Sequence, residues 1–374
     1  MAPIRLGMVG GGAGAFIGAV HRIAARLDGD YELVAGALAS TPDRAKASGE
    51  ILGLDPARCY GSFEEMAEAE AARADGIEAV SIVTPNHMHA APAIAFLKRG
   101  IHVLCDKPLA ATMEDAEALA AAARESRAQF ILTHNYTGYP MVRQARAMVT
   151  AGDLGDIRVV HVSYLQDWLT TSVESTGVKQ AEWRTDPARS GAGGAVGDIG
   201  THAHNLACFV TGLSVERLAA DLQSFGPGRA LDNSANVLLR FAGGARGTLT
   251  CSQVAAGKEN ALTLSVHGSR GGLEWAQEEP NVLWFTPYGQ PVQRLTRMGA
   301  GANEAANAVS RIPSGHPEGY LEGFANIYAA AAAAIRKGEP DPDLPGIEAG
   351  LSGMRFIAAC VASSQQDAAW VGPV

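Results

Sequence analysis

The sequence contains no strongly basic block and no long apolar run. The formal net charge is −9 and the pI is about 5.6, which makes nucleic acid and an anionic membrane surface poor partners. A membrane-spanning helix needs roughly 18 consecutive apolar residues, and the alanine-rich stretch 328–335 is far shorter. We therefore expect neither nucleic acid nor a membrane as a partner.

The sequence is also poor in cysteine. Its five cysteines are scattered, odd in number and contain no Cys-x-x-Cys pair, so neither a disulfide framework nor a cysteine-based metal site is indicated. The first residues enter an apolar strand pattern, without a charged leader or a cleavable apolar segment. These features predict a cytoplasmic protein with reduced thiols.

Apolar residues make up 47% of the 374 residues and charged residues 18%. These fractions are typical of a soluble globular protein with a large core, and the length predicts two or three domains. Glycine is abundant, with 43 residues, and its first cluster follows the first apolar run.

An apolar run at residues 4–9 leads into a glycine-rich turn and then into a helical pattern. This strand–turn–helix order is the context that a dinucleotide-binding fingerprint requires. Glycines allow the backbone to approach a pyrophosphate, whose charge is met by the N–H groups at the helix start. Within the turn, Gly10, Gly12 and Gly14 are the predicted phosphate-binding glycines.

The fingerprint is imperfect, because Gly18, the glycine that opens the helix, comes three residues late. We interpret residues 13–15 as an insertion and predict that Phe16 and Ile17 supply the backbone contacts to the cofactor. The alternative is a glycine-rich turn that binds no ligand.

The second predicted strand, residues 31–38, is followed by Ala39-Ser40-Thr41 rather than by an acid. A carboxylate at this point would accept a hydrogen bond from the ribose 2′-hydroxyl of NAD. Ser40 avoids repulsion of a 2′-phosphate, and Arg44, one helical turn later, offers a counter-charge. The predicted cofactor is therefore NAD or NADP, and a solvated helix position is the alternative for Arg44.

Alternating strand and helix patterns continue to residue 135 and predict a doubly wound parallel sheet with helices on both faces. Further strands are predicted at residues 79–83, 101–104 and 129–133. Their carboxyl ends lie along one edge, where such sheets bind ligands, and these ends are Gly10, Thr84, Asp106 and His134. We predict a Rossmann dinucleotide-binding domain over residues 1–135.

After Pro140 the pattern changes to strands separated by short turns. Their close succession predicts a mainly antiparallel open sheet. The predicted strands cover residues 157–169, 217–225, 233–241, 246–254, 261–267, 271–277 and 282–286. We expect an α+β domain for substrate binding and oligomerisation over residues 136–374, with C-terminal helices that are candidates to pack on the first domain. Residues 180–200 and 299–317 are predicted loops.

Two sets of side chains at these positions can do chemistry. Lys107 ends its strand before Pro108, and at the sheet edge its ammonium group can stabilise a reacting oxygen. Asp198 and His202 lie four residues apart, a spacing that turns them the same way on a helix. An imidazole is a suitable base for an alcohol, and a carboxylate can orient it. The structural alternatives are a surface lysine, a helix cap and a packed histidine.

These motifs, in this order and at these spacings, resemble the Gfo/Idh/MocA oxidoreductases over nearly the whole chain. The resemblance rests on Gly10-x-Gly12 with Gly18-x-x-His21, Thr84-Pro85-Asn86-x-x-His89, Asp106-Lys107-Pro108, Trp183-Arg184, and the glycine-rich run from Gly193 to His202. It implies an NAD(P)-dependent enzyme that acts on CH–OH groups.

The resemblance implies that Lys107 and His202 form the catalytic pair and that Asp198 holds substrate. It implies that Asn86, His89 and Pro108 line the nicotinamide. The remaining residues assigned to the cofactor site from these motifs are Thr84, Pro85, Asp106 and Lys107. Two departures from the family pattern matter: the glycine loop is longer, and Asp106 replaces the usual glutamate, which shortens the side chain by one methylene.

We therefore expect a dehydrogenase or reductase that acts on a secondary alcohol or ketone of a cyclic polyol, which is a pyranose sugar, a glycoside or inositol. Neighbouring hydroxyls would be anchored by Asp198 with Tyr136, Tyr164, Trp168 or Arg184. Alternation along strand 157–169 places Tyr164, Gln166 and Trp168 on one face, and His161, Ser163 and Asp167 on the other. Only one of these sets can reach substrate.

Three further expectations concern metals, rival functions and assembly. Hydride transfer needs no metal, and we predict none, although histidines are available as ligands at His87, His89, His202 and His204. A rival enzyme would oxidise a sugar transiently so that a glycosidic bond eliminates, and a rival of another class would be a non-catalytic nucleotide or sugar sensor. The presence of Lys107, Asp198 and His202 together opposes the sensor. The resemblance also implies a homodimer or homotetramer.

Overall fold

The computed structural model describes residues 2–173 and 183–374, and the chain forms two compact units. The first unit comprises Met1–Asn135 and Tyr320–Leu351, and the second comprises Tyr136–Gly319 and Ser352–Val374. The first three residues of the predicted loop 180–200 lie outside the described residues.

The first unit is built on a parallel sheet of five strands in the order β2-β1-β3-β4-β5. The strands are β1 (Ile4–Gly10), β2 (Tyr31–Ala37), β3 (Ala79–Val83), β4 (His102–Cys105) and β5 (Phe130–Leu132). The helices between them are α1 (Phe16–Leu27), α2 (Pro42–Ile51), α3 (Phe63–Ala72), α4 (Ala90–Leu97) and α5 (Met113–Glu125). Every residue of β3 is buried, as expected for a strand covered on both faces. The predicted Rossmann fold is confirmed.

The second unit is built on an eight-stranded sheet in the order β13-β12-β11-β10-β6-β9-β8-β7, in which only β6 and β9 pair in parallel. The strands are β6 (Ile157–Leu165), β7 (Val215–Gln223), β8 (Ser234–Phe241), β9 (Arg246–Ser252), β10 (Ala261–Gly268), β11 (Gly271–Ala276), β12 (Val282–Pro287) and β13 (Gln293–Thr296). The mainly antiparallel sheet predicted for this part of the chain is confirmed, and β13 is an additional strand.

The helices of the second half of the chain include a π-helical turn. They are α6 (Pro140–Thr150), α7 (Pro187–Ser190), the π-helix Val196–Gly200, α8 (Thr201–Thr211), α9 (Glu304–Asn307), α10 (Tyr320–Lys337) and α11 (Ile347–Ser364). Within the first unit, α10 packs on α1 through a core that includes Phe324 and Tyr328. The α10 helix is therefore part of the hydrophobic core of the first unit.

Strand β6 shows the predicted alternation but is shorter than expected. Val160, Val162 and Tyr164 are buried, whereas His161 is exposed on the other face. The strand was expected to reach residue 169 and ends at Leu165. The chain then turns, with main-chain hydrogen bonds from Gln166 to Ser252 and from Leu169 to Gln253.

The segment expected as a loop at residues 299–317 contains α9 and is held by a buried ion pair. Arg297 lies 3.2 Å from Glu318, and both side chains are only 1% exposed. The Arg297 guanidinium also donates to the main-chain carbonyls of Ile312, Pro313 and His316. One guanidinium thus satisfies acceptors along much of the segment.

Replacing Arg297 by methionine tests this arrangement. Arg297→Met leaves the Glu318 carboxylate buried without its counter-charge, and breaking such a pair costs about 3–5 kcal/mol. We expect a loss of this size in urea unfolding followed by tryptophan fluorescence. All five tryptophans belong to the second unit, so the signal reports on this unit alone.

Arg294→Met is the matched control, because Arg294 is exposed on β13. We expect this variant to unfold at nearly the wild-type urea concentration. Equal stabilities of the two variants would contradict a structural role for the buried pair.

Candidate active site

The carboxyl ends of the parallel strands lie level with one another in the first unit. Gly10 pairs with Val83, and Cys105 pairs with Ile82 on one side and Leu132 on the other. The residues that follow these strands therefore emerge along one edge, where parallel sheets bind ligands. These residues are Gly11, Thr84, Asp106 and Thr133.

The glycine turn after β1 has the backbone conformation and the close packing that the fingerprint requires. Gly10, Gly11 and Gly14 have φ of +74°, +66° and +79°, a region that L side chains rarely adopt. A Cβ on Gly18 would lie 2.2 Å from the Gly11 carbonyl oxygen. Only glycine at this position lets α1 approach the turn so closely, so the turn fits a bound pyrophosphate.

The insertion at residues 13–15 forms its own turn against the protein. Ala15 N–H donates to the Gly12 carbonyl (3.0 Å), and Ala13 N–H donates to the Ser48 hydroxyl (3.2 Å). Helix α1 begins at Phe16, and no side chain of the described residues caps it. The first N–H groups of a helix have no intrahelical acceptor, so those of Phe16 and Ile17 are available to a ligand.

A residue that the sequence did not reveal, Arg22, supports the glycine turn. Its guanidinium donates to the Gly11 carbonyl and contacts the Met8 sulfur. Burial lowers the pKa of Arg22. In the sequence, the one indication of this role was the position of Arg22 in the predicted helix, one turn after Gly18.

Ser40 and Arg44 lie where the second strand gives way to α2, and both are exposed. Thr41 precedes Pro42, the first residue of α2, and the first acid of this segment is Asp43. The stretch between β2 and α2 thus carries a hydroxyl group and no carboxylate.

Asp106 anchors the turn that carries Lys107. Its N–H donates to the Ile82 carbonyl (2.9 Å), and its Oδ1 accepts hydrogen bonds from Lys107 N–H (3.0 Å) and the Thr133 hydroxyl (3.1 Å). Asp106 therefore joins the ends of three neighbouring strands, through its main-chain N–H to β3 and through its side chain to the residue after β5. Lys107 itself is partly exposed, and it precedes Pro108 at this edge.

His89 is buried and lies between two loop carbonyls of the same edge. Its Nδ1 is 2.7 Å from the Pro108 carbonyl and its Nε2 is 2.9 Å from that of Thr84. Burial lowers the pKa of His89, so the neutral ring donates to one carbonyl at a time. The imidazole thereby braces the Thr84 and Pro108 loops, with Asn86 buried beside it.

A buried polar cluster lies beneath this edge and was not expected from the sequence. The Tyr328 hydroxyl is 2.8 Å from His21 Nδ1 and 2.8 Å from the Ser81 hydroxyl. Burial lowers the pKa of His21 to about 4, against the opposing effect of the Asp106 charge. His21 is therefore neutral near pH 7, and the only signal for it was its place in the Gly18-x-x-His21 motif.

In the second unit, two tyrosines flank His202, which is 8% exposed. The ring of Tyr136 lies 4.9 Å and that of Tyr164 lies 6.2 Å from the imidazole, measured between centroids. The two tyrosine hydroxyls are 2.5 Å apart. Burial raises the pKa of Tyr136, so its hydroxyl keeps its proton near pH 7.

A directed chain of hydrogen bonds extends from these tyrosines through Asn260. Its amide oxygen accepts from the Tyr164 hydroxyl (2.8 Å) and from Gln166 Nε2 (2.7 Å). Because an amide oxygen carries no proton, Tyr164 donates to it and Tyr136 donates to Tyr164. Trp168 Nε1 in turn donates to Gln166 (3.1 Å). The predicted Tyr136, Tyr164 and Trp168 thus belong to one hydrogen-bond network. Asn260 also belongs to it, although the sequence analysis did not identify this residue.

Asp198 lies in the π-helix that immediately precedes α8, and such turns often occur at functional sites. Its Oδ2 accepts a hydrogen bond from Gln253 Nε2 (2.9 Å) and lies 3.5 Å from Arg184 Nε. The predicted Asp198 and Arg184 are therefore neighbours, and Gln253 is a further member that sequence reasoning missed. Since the backbone is π-helical here, the four-residue spacing to His202 does not correspond to one α-helical turn.

Residues 2–173 and 183–374 contain neither a metal-binding cluster nor a membrane-spanning helix. No group of three or more His, Cys, Asp or Glu side chains among these residues is arranged to hold a metal ion. None of the helices formed by these residues is both long enough and apolar enough to span a membrane.

Family models match both parts of the chain. Residues 4–134 match the model described as an oxidoreductase family with an NAD-binding Rossmann fold, and residues 142–274 match the GFO/IDH/MocA C-terminal domain. A curated relative, the levoglucosan dehydrogenase of Pseudarthrobacter phenanthrenivorans, is 29% identical over 76% of this chain and 76% of its own length.

Solved structures agree over the full length. An oxidoreductase from Sinorhizobium meliloti is 59% identical, with a TM-score of 0.91 over 99% of this chain and 100% of its own. An inositol dehydrogenase homologue from Azotobacter vinelandii is 39% identical. Its complex with NAD+ has a TM-score of 0.94 over 99% of this chain and 97% of its own, and its complex with NADH and myo-inositol has 0.91 over 99% and 98%.

The glycine turn can be tested with Gly18→Ala. The added methyl group would collide with the Gly11 carbonyl, so α1 and the turn must separate. We expect the dissociation constant for NADH, measured by NADH fluorescence, to rise at least about tenfold, which corresponds to about 1.4 kcal/mol.

Gly319→Ala is the matched control, because a methyl group there meets no heavy atom within 4 Å. Its affinity for NADH should equal that of the wild type. If Gly18→Ala has the same affinity and an unchanged circular dichroism spectrum, the close approach of α1 is not needed for binding.

Proposed function

Because the chain belongs to the Gfo/Idh/MocA oxidoreductase family, we propose that it is an NAD(P)-dependent dehydrogenase or reductase of a cyclic polyol. The reaction transfers a hydride between nicotinamide and a secondary alcohol or ketone. The proposed substrates are pyranose sugars, glycosides and inositols. One related structure contains myo-inositol, and the curated relative is named for levoglucosan; both molecules are polyhydroxylated rings.

The observation that carries the proposed substrate class is the polar network around His202. Tyrosine hydroxyls, the amides of Gln166 and Asn260, and the Asp198 carboxylate offer donors and acceptors at several points. Each hydroxyl of a polyol both donates and accepts, so such an array suits adjacent hydroxyls. The rings of Tyr136 and Trp168 add apolar surface for the carbon face of a sugar.

We assign the chemical roles as follows. His202 accepts the proton of the reacting hydroxyl, and the Lys107 ammonium stabilises the negative charge that develops on that oxygen. Asp198 accepts a hydrogen bond from a neighbouring hydroxyl, and Arg184 steers its carboxylate. Bound NAD supplies the hydride acceptor. The carbinol C–H pair of electrons leaves with the hydride as the C=O bond forms, so atoms and charges balance.

The cofactor is proposed to lie against the glycine turn and the sheet edge of the first unit. The pyrophosphate would meet the N–H groups of Phe16 and Ile17 beside Gly10, Gly12 and Gly14, which fit a phosphate because side chains are absent there. The remaining proposed cofactor contacts are Ser40, Arg44, Thr84, Pro85, Asn86, His89, Asp106, Lys107 and Pro108.

We further propose a cytoplasmic homodimer or homotetramer. All five cysteines are thiols, as expected in a reducing compartment. One face of the eight-stranded sheet exposes a row of polar side chains with Trp284 at its end, and a second copy of the chain would cover it.

The proposed reaction can be tested with cyclitols, aldoses and 3-keto-glycosides. Each is assayed with NAD and with NADP by the absorbance of the reduced nicotinamide at 340 nm. Net reduction of NAD+ by a polyol supports the dehydrogenase. Release of an aglycone without net reduction supports the glycoside-cleaving rival, and binding without turnover supports the sensor.

The catalytic assignment predicts the behaviour of two variants. His202→Asn should lower kcat/KM for the polyol about 10²–10⁴-fold, which is the range that a general base contributes. Lys107→Ala should lower it about 10²–10³-fold, which is the range for removing one group that stabilises the developing charge. Steady-state kinetics with NAD+ measure the loss. His316→Asn is the control, since His316 is exposed and lies outside both the network around His202 and the sheet face proposed as the contact between copies. Full turnover by Lys107→Ala would contradict the role assigned to Lys107.

Nucleotide preference is the next prediction. Since no carboxylate lies between β2 and α2, we expect NADP+ to be used as well as NAD+. Ser40→Asp should lower kcat/KM for NADP+ at least about tenfold, because it places a negative charge at the 2′-phosphate position, and should change that for NAD+ little. Ala47→Asp adds the same charge on the exposed surface of α2 and is the control; equal effects of both variants would count against this site.

A further inference from the structure

Asp232 precedes β8 and belongs to none of the sequence motifs, yet it binds three successive main-chain amides. Its carboxylate accepts from Gly194 N–H (2.6 Å) and Val196 N–H (2.9 Å), and its carbonyl accepts from Ala195 N–H (2.8 Å). These amides lie at the start of the π-helix that carries Asp198. A π-helix of five residues has few hydrogen bonds of its own, so its N-terminal amides depend on outside acceptors.

The approach of the two segments is close. A Cβ on Gly194 would lie 2.0 Å from the Asp232 carbonyl oxygen. Asp198 N–H donates to the Gly194 carbonyl (2.9 Å). The Gly194–Ala195 peptide therefore accepts from Asp198 at its carbonyl and donates to the Asp232 main-chain carbonyl at its N–H. The Asp232 carboxylate binds the N–H groups of the peptides on either side of it.

The next residue, Asn233, holds the second partner of Asp198. The Asn233 carbonyl accepts from Gln253 N–H (2.8 Å), and the Gln253 side-chain amide donates to Asp198 Oδ2 (2.9 Å). Asn233 is 1% exposed, and its own side chain is fixed by two hydrogen bonds to the main chain of Phe225. Two adjacent residues thus hold both the backbone under Asp198 and the amide that binds its carboxylate.

We propose that Asp232 is a positioning residue that, together with Asn233, sets the position of the Asp198 carboxylate for a substrate hydroxyl. This inference rests on the proposed function, in which Asp198 binds substrate. It adds a requirement that the family motifs do not contain. Each carboxylate oxygen of Asp232 accepts one main-chain hydrogen bond, so residue 232 must offer two acceptor atoms.

Asp232→Asn is the decisive substitution, because it keeps the shape and removes one acceptor. An amide offers one oxygen and one NH2 group, so one of the two main-chain N–H groups would face a donor. We expect KM for the cyclic polyol that the wild type oxidises fastest to rise at least about tenfold, with KM for NAD+ unchanged. Asp221→Asn, at an exposed position of β7, is the matched control.

A double-mutant cycle separates positioning from general damage. If Asp232 acts through Asp198, then adding Asp232→Asn to Asp198→Asn should raise the polyol KM little further. An independent role predicts that the two effects multiply, and this result would overturn the proposal. A fall in kcat with both KM values unchanged would overturn it too, since it indicates only a smaller folded fraction.

If Asp232→Asn does not fold, Gln253→Leu can be combined with Asp198→Asn in the same kind of cycle. This variant tests the contact that runs from Asn233 through Gln253 to Asp198. Little further rise in KM supports the proposal, and multiplied effects overturn it. Failure of the proposed function is recognised separately: a wild-type protein that turns over no member of the panel overturns both, whereas an active wild type with multiplied effects overturns only the role of Asp232.

Discussion

Parallel pairing in the first sheet is the constraint on which the nucleotide-binding edge depends. Because β3 lies between β1 and β4, the loops that follow these strands emerge side by side. Each of these loops forms hydrogen bonds to the neighbouring strands and loops. Asp106 binds Ile82 and Thr133, and His89 lies between the carbonyls of Thr84 and Pro108. The register of the sheet thereby determines where the Lys107 turn begins.

The second unit holds its polar groups in a different way, through side-chain networks. One oxygen of Asn260 accepts from both Tyr164 and Gln166, and the Asp198 carboxylate accepts from Gln253. Buried polar networks are stable when each member has its partners, and the loss of one member disturbs the others. Residues that do not contact the substrate can therefore affect the reaction through the residues they position, and Asp232 is the clearest case.

Much of the candidate site was predictable because its signals are local. The glycine turn, the strand that ends two residues before Lys107 and the tyrosine on β6 follow from short patterns of residue type. Asn260, Gln253 and Arg22 were not predictable in this way, since nothing in their immediate surroundings marks them. Their roles arise from partners that are distant in the sequence, such as the 96 positions between Tyr164 and Asn260.

By itself, the sequence determined the Rossmann fold, the change to an antiparallel sheet after Pro140 and the residue types of the candidate site. Apolar periodicity and glycine spacing are properties of neighbouring residues, so they can be recognised without knowledge of the fold. Only the tertiary structure decided that β6 ends at Leu165, that Asp198 lies in a π-helix, and that Asp232 binds Val196 of that helix from 36 positions away. These outcomes depend on cross-strand register and loop contacts, which no local pattern encodes.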